Sequence, residues 1–314
     1  MDLRELVEES FRGRGLTPGR EDLEAVLRDL VRWRGPEGAD RILRTADGSL
    51  TLLSGAFGEP YHSVSAGAVR ECLHKFLAPS GLLNRKGRVR ILDVGFGLGY
   101  NVAVAFYHLR KRDPSLEIEV VSLERELPAR IPVLPEPYRE AHRKVLSLLP
   151  SGEREGFRIH LLIGDARQSV SSVRGFRAHA VFHDPFSPYR NPELWTLEFL
   201  RKVREAMDPS GVWVSYTSSL PVRRALLDLG FRVGGSAPLG RKKSGTVATL
   251  QGDPPPLSVG EKVRLRKSPY SVPFRDPDLR EDPLRILIEY RISVLLREKE
   301  VSSEGEREPP PQSS

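Results

Sequence analysis

Three glycines spaced G-x-G-x-G, Gly95, Gly97 and Gly99, follow the apolar run Ile91-Leu92-Asp93-Val94. Such a turn lets the chain reverse sharply and lets a ligand lie against bare backbone. A dinucleotide turn instead has G-x-G-x-x-G, whose last glycine brings helix and strand together beneath a pyrophosphate. The spacing here points to a nucleoside without phosphate, S-adenosylmethionine, held around Asp93, Gly95, Phe96, Gly97 and Asn101. A second chemical group is the acid-then-aromatic run Asp184-Pro185-Phe186, on a loop stiffened by prolines at 185, 188 and 192. Methyl transfer from a sulfonium to an amine is mostly positioning. A carboxylate at Asp184 attracts the ammonium form and stabilises the ammonium created as the bond forms, and no metal is required.

These residues need strand ends to place them side by side. Residues 89–94 read as a buried strand, and 117–123, EIEVVSL, as a second with Glu124 at its end. In methyltransferases of this class a carboxylate there holds the ribose hydroxyls; the other reading is a solvated acid in Glu124-Arg125-Glu126. A third strand, 157–163, leads into Gly164-Asp165-Ala166. There Asp165 either accepts from the adenine amino group, with Ala166 leaving room for the ring, or caps the next helix. His183, before Asp184, reads as a packed residue or a proton relay. Tyr61 and Ser63, on either side of His62, either close over the methionine end of the cofactor or cap the helix that follows.

The wider chain alternates strands with helical segments between 89 and about 251, adding strands at 178–183, 211–217 and 246–250 and a short one at 231–233. That alternation predicts an α/β, Rossmann-like fold with a seven-stranded, mostly parallel sheet. Residues 1–88 form an N-terminal helical and hairpin cap: Leu23, Val26, Leu27 and Leu30 mark an amphipathic helix, and Asp47-Gly48 a hairpin turn. Residues 252–314 form a basic, proline-rich extension, with a helix expected over 283–298 and a disordered Glu/Pro/Ser-rich end from Val301. Within it, KVRLRKSPY suits either a surface that tracks phosphates or a charge-protected strand edge. The 314 residues carry a net charge of +7, which suits a polyanionic partner without requiring one. No run approaches the roughly 20 apolar residues of a membrane span, and MDLRELVEES lacks the features of a signal peptide, so a cytoplasmic protein is expected. The single cysteine, Cys72, excludes internal disulfides and a cysteine-built zinc site. Three Asn and three Gln beside 29% charged residues point to a heat-adapted source.

The segment DPFSPYRNPELWTLEFL resembles the signature D-x-F-[SA]-P-x-[KR]-N-P-[ED]-[ML]-W of the methyltransferase half of bifunctional tRNA 5-methylaminomethyl-2-thiouridine biosynthesis enzymes, and of proteins carrying that half alone. The blocks ADGSLTLLSGAFGEPYHS, LDVGFGLGYN, IGDAR, YTSSLPVRRALLDLGF and GRKKSGTVAT agree with it, from about 45 to 250. The resemblance implies methyl transfer from S-adenosylmethionine to the aminomethyl nitrogen of a modified wobble uridine, with the anticodon region of tRNA as partner. Asp184 would hold the amine, Phe186 would pack on a ring, and Asp184 and Pro185 would also border the cofactor. Tyr189, Arg241 and Lys242 are the other substrate-side candidates; Arg241, Lys242 and Lys243, with Arg223 and Arg224, are candidates for gripping the anticodon backbone, and each reads equally as a solvated surface charge. Pro185 stands where the family has a small residue, and Gly240-Arg241-Lys242-Lys243 lacks the usual end of its block. No second glycine-rich βαβ unit is readable, so the flavin-dependent oxidase of the bifunctional enzymes is not expected here. Two other readings share the sheet: an aminopropyltransferase of the spermidine-synthase type, against which Ala166 stands where a second acid is wanted, and a non-catalytic RNA-binding protein.

Overall fold

The computed structural model describes residues 2–34, 38–239 and 244–305. Strands β1 (Arg41–Arg44) and β2 (Leu50–Leu53) form an antiparallel hairpin apart from the main sheet. The main sheet uses β3 (Arg88–Val94), β4 (Glu117–Glu124), β5 (Ser151–Arg154), β6 (Phe157–Ile163), β7 (Ala178–His183), β8 (Met207–Ser215), β9 (Arg232–Gly235) and β10 (Thr246–Thr249). Among the described residues its order is β5-β6-β4-β3-β7-β8-β10-β9. The five strands from β6 to β8 are mutually parallel, while β5 and β10 run against their neighbours.

The seven expected strands are all present, and β5 is an eighth. Its sequence, SGER, has no apolar alternation because it is a short, mostly exposed edge strand, which is how sheets blunt their edges. Strand order reverses at β3, which lies between β4 and β7, so the crevice beyond its carboxyl end is the expected ligand position.

Helices α1 (Leu3–Gly13), α2 (Arg20–Arg34), α3 (Ala68–Glu71), α4 (Tyr100–Arg112), α5 (Arg139–Ser147), α6 (Ala166–Ser169), α7 (Leu197–Glu205), α8 (Leu220–Asp228), α9 (Val259–Lys267) and α10 (Pro283–Gly305) surround the sheet. One core contains Val26 and Leu30 of α2, Phe199 of α7, Leu226 of α8 and Ile286 and Ile292 of α10, packed with Leu92 and Trp213 of the sheet. The other contains Val102 and Leu109 of α4, Val145 of α5 and Phe76, against Phe157 and Phe182. Each such fully buried apolar side chain contributes roughly 1.5–3 kcal/mol. The chain's two ends therefore meet in one core.

Two expectations for the basic extension change. KVRLRK is not a strand edge but part of α9, fixed by a capping box in which Ser258 and Glu261 exchange side-chain and backbone hydrogen bonds. Helix α10 continues past Val301 to Gly305; residues 306–314 of the expected disordered end lie outside the described residues. No described helix is long and apolar enough to cross a membrane.

Candidate active site

The parallel register puts the chemical groups together. Val94 is level with Leu123 on one side and His183 on the other, and Glu124 is level with Ile163. The residues just beyond these ends are joined by backbone hydrogen bonds: Gly95 N to Leu123 O at 2.9 Å, Asp184 N to Val94 O at 2.8 Å, and Gly164 N to Glu124 O at 2.9 Å. The glycine loop is thereby pinned between two neighbouring chain turns.

Crowding explains the glycines. Gly95 has φ +85°, and a Cβ there would sit 2.8 Å from Asp184 O; Gly97 has φ +53°, and a Cβ there would sit 2.8 Å from Tyr61 Cδ1. Tyr61 is brought in by the hairpin, where its N–H donates to Leu52 O at 2.9 Å and the N–H of His62 donates to Thr51 Oγ1 at 3.1 Å. Glu71, at the end of α3, accepts from Ser63 N at 2.7 Å and fixes the rest of that segment.

A cavity of about 550 Å³ opens above the loop, a size suited to a small-molecule ligand. From the cofactor side of the sequence reading, Tyr61, Ser63, Gly95, Phe96, Gly97 and Glu124 line it. So do Asp165, Ala166, Asp184, Pro185 and Phe186. Glu124 Oε2 accepts from Gly97 N at 2.6 Å and Oε1 from Arg125 N at 2.7 Å, which aims the carboxylate along the cavity wall. Burial raises the Glu124 pKa, with these amides opposing the rise.

Three expected cofactor residues stand one layer back. Asp93 is 1% exposed beneath the loop, accepts from Ser122 Oγ at 2.9 Å, and leaves Oδ1 without a hydrogen-bond partner. Asn101, expected against the cofactor, donates from Nδ2 to Asp184 Oδ2 at 2.7 Å. Gly164 shapes the turn after β6, with φ +129°.

Asp184 belongs to a braced loop. The Tyr216 hydroxyl donates to Pro185 O at 2.9 Å, and Trp195 Nε1 donates to Phe186 O at 2.9 Å. Phe186 stacks on Phe57 with centroids 4.2 Å apart and meets Tyr61 edge-on at 5.0 Å, making an aromatic wall beside the carboxylate. Glu59 accepts from both Ser187 N and Ser187 Oγ, at 2.9 and 2.6 Å, tying this loop to the hairpin cap. His183 is fully buried among Trp195, Trp213 and Phe199, with Nε2 at 2.9 Å from Leu194 O. Burial depresses its pKa to about 3, so it is a neutral packing residue.

The remaining candidates lie apart. Tyr189 stacks on Trp33 at 4.7 Å and faces a second, more open cavity lined also by Arg264 and Tyr270. Arg223 is 2% exposed and is bonded to Thr246, Glu261 and Gly245 O, so it braces β10 and α9 and is unable to grip a phosphate backbone. Arg224 pairs with Asp228 one helical turn on. Arg241, Lys242 and Lys243 lie outside the described residues. Sequence reasoning missed Glu59, Glu71, Tyr216 and Glu193, which all line the main cavity. Among the described residues, no group of three or more His, Cys, Asp or Glu side chains is placed to hold a metal ion.

A mostly parallel sheet with its switch point at a glycine loop too crowded for Cβ atoms, acids at successive strand ends and a cavity over the loop fits S-adenosyl-L-methionine. This is the site of an S-adenosyl-L-methionine-dependent methyltransferase. Residues 136–251 match a family described as S-adenosyl-L-methionine-dependent methyltransferases. The structure of MnmC2 from Aquifex aeolicus is 47% identical, covers 94% of this chain and 98% of its own, and superposes with a TM-score of 0.90. An uncharacterised protein of Methanocaldococcus jannaschii is 32% identical over 253 residues, which are 76% of this chain and 68% of that one. The tRNA 5-methylaminomethyl-2-thiouridine biosynthesis bifunctional protein MnmC of Pseudomonas aeruginosa is 30% identical over 240 residues, which are 70% of this chain but 36% of that protein. The chain belongs to the MnmC-type methyltransferase family, and it spans about a third of the length of the bifunctional members it matches.

Proposed function

We propose that this methyltransferase acts on tRNA, methylating the aminomethyl nitrogen of a modified wobble uridine to give a methylaminomethyl group. The observation that carries the reading is the place of Asp184: it lines one cavity together with the glycine loop and Phe186, and its carboxylate is bonded to Asn101. The names of the relatives, with their 5-methylaminomethyl product, support the same substrate class. Phe186 offers an apolar face to a pyrimidine ring, and Asp184 accepts hydrogen bonds from the amine attached to it. S-adenosyl-L-methionine supplies an electrophilic methyl group on a sulfonium. In this reading Glu124 binds its ribose hydroxyls, the loop from Gly95 to Gly97 lies along its length and Ala166 leaves room for its base, which their shared lining of the cavity supports. Asp184 holds the amine nitrogen in line and stabilises the positive charge that returns to it, in a cavity lined by Tyr61, Phe186 and Tyr216.

The test uses the protein, methyl-labelled S-adenosyl-L-methionine and bulk tRNA from a strain blocked at the aminomethyl stage, followed by nucleoside analysis. Label in 5-methylaminomethyl-type uridine supports the reading. Label in another nucleoside, or transfer to a polyamine with the tRNA unlabelled, rejects it.

A further inference from the structure

Asp165, which the sequence reads as the acceptor of the adenine amino group or as a helix cap, lines the cavity but has its carboxylate engaged within the protein. Its Oδ1 accepts from Arg167 N at 2.9 Å and Arg167 Nε at 3.2 Å, and its Oδ2 accepts from Arg167 Nε and Nη2 at 3.1 and 2.8 Å. It is the N-cap of α6 as well, so its geometry is set by the protein. Hydrogen bonds and charge from Arg167 lower its pKa against the opposing effect of burial.

Glu193 presents the opposite picture. It is 9% exposed, it lines the main cavity, and its Oε2 is buried without a hydrogen-bond partner. Buried carboxylate oxygens are rarely left unmatched, and an unmatched one on a side chain that lines a cavity is open to a ligand donor once that side chain adjusts. Its place is the base end: the turn Pro192–Trp195 that carries it packs against α6, whose first residue is Ala166. The turn is braced, because His183 Nε2 donates to Leu194 O at 2.9 Å and Trp195 Nε1 donates to Phe186 O at 2.9 Å. Burial raises the Glu193 pKa, opposed by hydrogen bonds from its own backbone and the Asn191 side chain and by the Arg167 and Arg125 guanidiniums, both of which line the cavity, so the carboxyl is partly satisfied and Oε2 is the oxygen left over. In either protonation state a carboxyl keeps an accepting oxygen.

We propose that Glu193 Oε2 accepts the exocyclic amino hydrogen of the cofactor's adenine, and that Glu193 selects adenine over a base carrying a carbonyl at that position. Asp165 is then a fixed partner of Arg167 that shapes the pocket without reading the base. The inference rests on cofactor binding alone and is independent of which nucleoside is methylated.

Calorimetric titration of the full chain with S-adenosylhomocysteine and with its inosine counterpart tests it, since hypoxanthine presents an oxygen where adenine presents the amino group. The wild type is expected to prefer the adenine ligand at least about tenfold, because the inosine ligand leaves Oε2 facing another acceptor. Glu193→Gln, whose amide donates to that oxygen, should bring the two affinities within about threefold. Glu193→Ala should also lose the preference, and a melting temperature near the wild-type value shows that either variant is folded. Asp165→Asn should keep the preference even where both affinities fall. Retention of the full preference by both Glu193 variants, or its loss in Asp165→Asn, overturns the assignment.

Discussion

Asp184 acts with a partner, since the Asn101 amide at 2.7 Å limits how its carboxylate can turn toward the cavity. Asn101→Ala removes that restraint without touching the cavity lining, so kcat is expected to fall roughly tenfold while S-adenosylhomocysteine binding changes little. Steady-state kinetics alongside calorimetry check this split. Asp93 carries a different consequence. Burial raises its pKa to about 8, with the Ser122 hydrogen bond opposing and the Glu124 charge adding to the rise. In the folded protein it keeps its proton at pH values where the unfolded chain has released it. The resulting stabilisation is complete below about pH 4, declines as pH rises, and is lost through about pH 8. Asp93→Asn is unable to ionise, so its melting temperature relative to the wild type should climb between pH 4 and 8 and level off above. A pH-independent difference would show that Asp93 does not titrate in this way. Asp93, Glu124, Asp165 and Asp184 were legible because each lies within two residues of the end of an apolar strand-forming run. Glu193 was not: its neighbours in NPELW signal a turn, and only packing against α6 brings its unmatched oxygen to the base end.

At the scale of elements, the site depends on how closely β3 and β7 deliver their following residues. Gly95 sits against the backbone of Asp184 and Pro185, so Gly95→Ala forces two backbones apart as well as straining φ +85°. Cofactor affinity and kcat should therefore both fall at least about tenfold, whereas Asn101→Ala affects kcat alone. Binding and turnover assays on the two variants separate these effects. The strands that create this junction could be read from β-branched runs, and the Rossmann-like order followed from their alternation with helices. Helix α9 was harder. Its K-V-R-L-R alternation imitates a strand, while the Ser258-x-x-Glu261 capping signal that starts the helix was present in the sequence. The contribution of the hairpin was only partly legible: Asp47-Gly48 marked its turn, but Glu59 reaching across to Ser187 is a contact over 128 positions. Likewise Arg223 resembled a surface cation until β10 and α9 enclosed it.

For the whole molecule, the C-terminal segment is part of the main cavity's frame. Asp276 is fully buried and accepts from Arg167 Nη1 at 3.0 Å and from the backbone of Arg280 and Glu281 at 3.0 Å each. Pro283, which opens α10, lines the cavity itself, and α10 packs on α1 and α2. Removing one partner of a buried, hydrogen-bonded charge pair leaves the other uncompensated. Asp276→Ala should lower the unfolding free energy by about 3 kcal/mol and raise KM for S-adenosyl-L-methionine several-fold, through Arg167 and the α6 turn. Denaturant melts and cofactor KM values check both effects, and an unchanged KM would separate the extension from the site. The links from Arg291 to Asp29 and from Arg285 to Glu9 join the same ends of the chain, and Glu298 holds Arg291 from within α10.

The most direct measurement is single-turnover methyl transfer by Asp184→Asn, using saturating S-adenosyl-L-methionine and tRNA carrying the aminomethyl group, with S-adenosylhomocysteine affinity measured on the same preparation. A rate lower by about 10²- to 10³-fold with cofactor affinity within a few-fold of wild type is the expected result. A wild-type rate with normal cofactor binding would contradict the role given to this carboxylate.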